Sequence, residues 1–87
     1  MNYIYALKCK NGDLYIGYTT NLKARVERHL AGMVRCTKSK LPLRLIYYEA
    51  YHNKSDASKR ERQLKGHKAK DELREQIKNC INYPDER

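Results

Sequence analysis

Eighty-seven residues suit a single domain spanning 1–87, near the lower size limit for a self-supporting core. Nineteen Lys and Arg against ten Asp and Glu leave a net charge of +9, which points to a polyanionic partner, nucleic acid before any other. No apolar run approaches the ~20 residues of a membrane span and no signal-peptide pattern opens the chain; Cys9, Cys36 and Cys80 lack metal-binding spacing, so reduced thiols in a cytoplasmic protein are expected.

Residues 2–9 alternate in the manner of a strand. Tyr3, Tyr5, Leu7 and Cys9 fall on one face, and Ile4, Ala6 and Lys8 on the other. A second strand follows, with Leu14, Ile16 and Tyr18 alternating with Asp13, Tyr15 and Gly17. Residues 2–18 therefore read as a hairpin turning at Asn11-Gly12. Loop length decides which side chains meet. A two-residue loop pairs Lys10 with Asp13 and sends Tyr5 and Tyr15 to opposite faces. A three-residue loop, with Gly12 left-handed in a bulge, pairs Cys9 with Asp13. Leu7 then opposes Tyr15, Gly17 opposes Tyr5, and the two tyrosines become diagonal neighbours on one face. Gly17 then leaves open space beside Tyr5. The three-residue loop is the expectation.

Thr20 or Asn21 can cap a helix at about 20–31, each side-chain oxygen accepting from an unpaired first-turn N–H. Leu22, Val26, Leu30 and Met33 form its expected apolar stripe, with Arg25 and His29 one turn apart along the edge. Beside a strand tyrosine, that cation and imidazole could line a pocket. Gly32 suits a left-handed cap. Residues 33–42 carry Arg35, Lys38 and Lys40 among Thr37 and Ser39 and end at Pro42, a basic loop suited to phosphate contacts.

Leu43 to Tyr51 reads as a third strand. Asn53 or Ser55 then caps a second helix, with Asp56 well placed in its first turn. Ala57, Glu61, Leu64 and Lys68 share one stripe of that helix. Ala57 and Leu64 should face the core, and a carboxylate between them is costly unless a cation or a metal satisfies it. Pairing with Arg25 or a lysine would meet the same need. Gly66 is expected to end this helix. A last helix at about 69–80 should present Leu73, Ile77, Cys80 and Ile81 to the body, and the tail at 83–87 should fray.

Tyr3-Ile4-Tyr5, Tyr15-Ile16-Gly17 ten residues beyond Tyr5, then Arg25, His29 and Glu61 form an ordered set that resembles the GIY-YIG nuclease superfamily. Leu7-Lys8-Cys9, the Thr37-to-Pro42 loop and Glu49-Ala50 are similar to its small single-domain bacterial branch. The likeness covers about residues 2–66. It implies an α+β fold, a three-stranded antiparallel sheet flanked by helices in the order strand, strand, helix, strand, helix, helix. That order agrees with the reading of the elements above. Tyr3 stands where the first motif's glycine would be, Tyr18 where some members place a lysine, and a downstream asparagine of some homing endonucleases has no clear match.

The resemblance implies a metal-dependent endonuclease that hydrolyses nucleic-acid phosphodiesters, with DNA the expected substrate, in repair or processing. The alternative is a nucleic-acid-binding domain that kept the fold and lost turnover. Tyr5, Tyr15, Arg25, His29 and Glu61 are the implied catalytic residues, with Gly17 structural. Glu61 would hold one divalent cation, Mg2+ or in its place Mn2+. Arg25 would clamp the scissile phosphate. Tyr15, by preference, would take a proton from the attacking water; with an ordinary pKa of ~10 it needs a nearby cation to favour phenolate. His29 is the alternative base. Specificity would come from the basic surface, from a homodimer or from a partner protein.

Overall fold

The hairpin loop closes on three residues. Cys9 N–H donates to the Asp13 carbonyl at 2.8 Å, and Gly12 N–H to the Cys9 carbonyl at 2.9 Å. Gly12 takes φ +91°, a region where a Cβ is strained. The computed structural model describes residues 1–82; the tail at 83–87, expected to fray, lies outside the described residues. Its elements run β1 (Asn2–Lys8), β2 (Leu14–Thr19), α1 (Leu22–Leu30), α2 (Arg35–Lys38), β3 (Arg44–Tyr51), α3 (Lys54–Leu64), α4 (His67–Gln76) and α5 (Lys78–Ile81). Among the described residues no helix is long and apolar enough to cross a membrane.

The three strands form one antiparallel sheet in the order β2-β1-β3. Because β1 is central and both its faces are covered, Ile4, Tyr5, Ala6 and Leu7 are all buried. On one face Tyr5, Leu7 and Cys9 pack with Leu43, flanked by Leu22 of α1 and Tyr15 of β2. On the other, Ile4, Ala6 and Ile16 pack against Ala57 and Leu64 of α3, Leu73 of α4 and Ile77. The fold is thus α+β with helices on both faces.

Local chemistry explains most boundaries. Asn21 Oδ1 accepts from Ala24 N–H at 3.2 Å and caps α1. Gly32, at φ +75°, ends that helix: its N–H donates to the His29 carbonyl and Met33 N–H to the Arg28 carbonyl, a Schellman arrangement. Asn53, not Ser55, caps α3, accepting from the N–H groups of Ser55 and Asp56.

Several expectations are corrected. Leu30 and Met33 are not on a buried stripe; they are 50% and 61% exposed, and the buried residue of α1 is His29. The helix stops at Leu30 and Gly32 turns the chain away, so neither apolar side chain reaches the sheet. The basic loop contains a helical turn, α2, built by Thr37 and Lys38 N–H groups donating to the Val34 carbonyl. Lys68 belongs to α4 rather than to the α3 stripe. Gly66 lies one residue beyond the α3 cap and itself begins α4 in extended conformation. The expected last helix is two, broken at Ile77, and Cys80 is exposed while Leu73 and Ile77 are buried.

Candidate functional site

Gly17 positions the first side chain of the site. It lies opposite Tyr5 in the hairpin, and a Cβ there would sit 2.4 Å from both Cζ and Oη of Tyr5. The space that glycine leaves is filled by the Tyr5 ring itself, which crosses the β2 backbone.

Tyr5 is 1% exposed, and a phenol buried that deeply needs partners. Its Oη lies 2.8 Å from Nε2 of His29 and receives Nε–H of Arg25 at 3.4 Å. Nδ1 of His29 lies 2.7 Å from Thr37 Oγ1. With Arg25 donating to Oη, the phenol proton is directed to Nε2 and the Nδ1 proton to Thr37, the tautomer that satisfies every member. Tyr15 closes the cluster, its ring centroid 5.3 Å from that of His29 and 6.4 Å from that of Tyr5. The hairpin and α1 thus bring together Tyr5, Tyr15, Arg25 and His29.

Burial governs the electrostatics. It pushes the Tyr5 phenol up, outweighing the hydrogen bond from Arg25 that pulls down. It also pushes Tyr15 up, helped by the adjacent Cys36 sulfur and opposed by the Arg25 charge. Arg25 favours phenolate, as expected, but desolvation wins, and both tyrosines keep their protons at neutral pH. His29 is held below the ordinary imidazole range, first by burial and then by the charge of Arg25. Arg25 itself is raised, chiefly by its bond to Tyr5.

His29 is fully buried with both ring nitrogens engaged. It cannot meet an attacking water in this arrangement; it holds Tyr5. Glu61 stands apart from the four. It comes from α3, on the opposite face of the sheet, and pairs with Lys65 at 3.2 Å, its side chain 25% exposed. At ~100° per residue Glu61 is turned about 60° from Leu64, which puts it at the rim of the helix's apolar face and not between core residues. Its charge still reaches the tyrosines, adding a small upward push to both. Among the described residues no three His, Cys, Asp or Glu side chains gather as a metal cluster. A single carboxylate, a quarter exposed, is a donor that fits Mg2+, which completes its shell with water and substrate phosphate.

The basic segment divides. Arg35 and Lys38 are exposed on α2, whereas Lys40 is half-buried and lines a groove with Tyr15. Thr37 is the residue that sequence reasoning passed over. A four-residue helix has too few positions to show a period, and only the burial of its hydroxyl against His29 reveals it. Cys36, also unmarked by any pattern, lies beside Tyr15.

Comparison with known proteins places these features. The family model for the GIY-YIG catalytic domain matches residues 1–75. A UPF0213 protein of Staphylococcus haemolyticus is 45% identical over 65 residues, 74% of this chain and 79% of its own length. A UPF0213 protein of Staphylococcus aureus is 40% identical over 74 residues, 84% of this chain and 90% of its own. The solution NMR structure of a UPF0213 protein from Bacillus halodurans superposes with a TM-score of 0.57 at 34% identity, covering 90% of this chain and 86% of that one.

Proposed function

This chain belongs to the GIY-YIG family, and from that premise we propose a metal-dependent endonuclease that hydrolyses nucleic-acid phosphodiesters, DNA foremost, in repair or processing. The observation that carries the reading is the hydrogen-bonded chain Thr37–His29–Tyr5–Arg25, which fixes a guanidinium within electrostatic reach of Tyr15.

Arg25 spends Nε on Tyr5, so its terminal nitrogens remain as forked donors for the scissile phosphate. Among the described residues no carboxylate pairs with it. Tyr5 and His29 hold that fork in place. Tyr15 is half-buried where Tyr5 is buried, so it is the phenol able to meet a water. As phenolate it would take the proton of that water while the oxygen bonds to phosphorus and the bond to the leaving sugar oxygen breaks. Its raised pKa means that the free protein holds no ready base, and added positive charge is required. Glu61 would hold Mg2+, or Mn2+ in its place; when bound, the ion stabilises negative charge on the leaving oxygen.

A binding domain without turnover is the second reading. It draws on Lys65, which satisfies the Glu61 carboxylate with no metal. A panel of duplex, single-stranded, flapped and branched DNA and RNA, with Mg2+, Mn2+ or chelator, separates the two. Cleavage that requires metal is expected. Glu61→Gln should lower it roughly 100-fold or more at unchanged melting temperature, with affinity held or raised. Arg25→Ala should weaken both cleavage and binding. A wild type that binds the panel tightly and cuts none of it would establish the second reading, as would a Glu61→Gln variant that loses stability and nothing else.

A further inference from the structure

β2 is an edge strand. Between its edge and α4 runs a groove of about 480 Å³, walled in part by Tyr15, Lys40, Lys65, Lys70 and Arg74. These four cations come from three separate stretches: the segment after α2, the cap of α3, and α4. Two carboxylates, Asp13 and Asp71, also line it, so cations lead by two.

Lys70 and Arg74 are held in an unusual way. Lys70 Nζ donates to the Leu14 carbonyl at 3.3 Å, and the Arg74 guanidinium to the Gly12 carbonyl at 3.3 and 3.4 Å. Backbone carbonyls fix both side chains along the hairpin without neutralising them. Among the described residues neither forms an ion pair. They lie one helical turn apart, ~5–6 Å between Cβ atoms, a separation suited to neighbouring phosphates on one strand. Tyr15 belongs both to the groove and to the cluster around Arg25, and Lys65 joins the groove to Glu61.

We infer that this groove is a track for one single nucleic-acid strand, seating the phosphates that flank the one at Arg25. A groove of this size seats one sugar-phosphate backbone, and pre-fixed cations bind phosphates without reading bases. The inference rests on the nuclease reading only for which phosphate is cut; occupancy of the groove is measurable without turnover.

The test is fluorescence anisotropy of a short labelled single-stranded oligonucleotide at several salt concentrations. Neutralising two phosphate contacts should make the salt slope shallower by about 1.4 in Lys70→Gln/Arg74→Gln, and by about 0.7 in Lys40→Gln. Because Lys70 and Arg74 also brace the hairpin, amine-reactive footprinting of the unaltered protein supplies a second readout. The oligonucleotide should protect Lys70 and Lys40. Unchanged slopes with Lys70 unprotected overturn the inference, as does a duplex that binds more tightly and protects Lys70 equally. Protection and shallower slopes in a protein that cuts nothing on the panel leave the track standing and remove the nuclease reading. Cleavage that survives with Lys70 unprotected does the reverse.

Discussion

Nothing in the apolar pattern of α1 marks His29 for complete burial; its two bonds do. A neutral imidazole offers one acceptor to Tyr5 and one donor to Thr37, which matches its partners. Protonation would place a second donor against an Oη that already receives Arg25, beside a guanidinium that repels it. The folded state therefore disfavours the charged ring. The sign follows by linkage. Below the ordinary imidazole pKa of ~6.5 the unfolded chain binds a proton that the native state refuses. Stability is full above that value and falls as pH drops through it toward the lowered native pKa. Urea midpoints should therefore decline between about pH 7 and pH 5. His29→Gln, which keeps a donor and an acceptor but cannot titrate, should flatten that decline. An equal decline in both proteins would trace it to other groups.

At the scale of elements, the question is what sets α3 on the sheet so that Glu61 emerges near the tyrosines. Glu49 of β3 supplies a clamp. Its carboxylate accepts from the hydroxyls of Tyr47 and Tyr51 and from the Arg60 guanidinium, with Nε at 2.9 Å and Nη2 at 3.0 Å. Burial alone would raise this carboxyl, yet the bonds from Arg60, Tyr47 and Tyr51 together hold it below the usual range. Tyr51 is pushed up to about 12, by burial first and then by Glu49. Arg60 is the residue before Glu61, so the clamp fixes the turn of α3 that carries it. Glu49→Gln should cost roughly 1.5–3 kcal/mol at neutral pH by urea denaturation. The difference should shrink as pH falls through the depressed native pKa of the carboxyl, where its contribution is lost in the parent too. An unchanged midpoint would show that α3 is seated by Ala57 and Leu64 alone.

Legibility followed the range of the interactions. Gly12, Gly32, Asn21 and Asn53 act on backbone within a few residues; the two glycines were readable from their neighbours, and the two caps were narrowed to Thr20 or Asn21 and to Asn53 or Ser55. Hairpin register placed Tyr5, Tyr15 and Gly17 on the right face, and helical spacing put Arg25 nearby. The Glu49 clamp was not readable, because it joins two elements through a partner 11 residues away. His29 was misplaced for the same reason, since its burial depends on Tyr5 and Thr37, 24 and 8 residues off. Hydrophobicity alone gave that face of α1 to Leu30 and Met33.

Across the whole molecule, most of a net charge of +9 need not touch a ligand. Screening limits an exposed charge to about 8 Å at physiological salt. Counterion release counts only cations that neutralise a phosphate, so position rather than total charge sets the salt slope. Arg35 and Lys38 are exposed on α2, the turn that carries Thr37 into the site and Cys36 to Tyr15. Lys54 and Lys59 are equally exposed but ride on α3, across the sheet. Arg35→Gln/Lys38→Gln should therefore make the slope for duplex DNA shallower by about 1.8, alike for every sequence tested. Lys54→Gln/Lys59→Gln removes the same charge and should leave the slope nearly as it was. If the two pairs change it equally, the protein attracts nucleic acid as a diffuse basic body, and α2 has no privileged contact with phosphate.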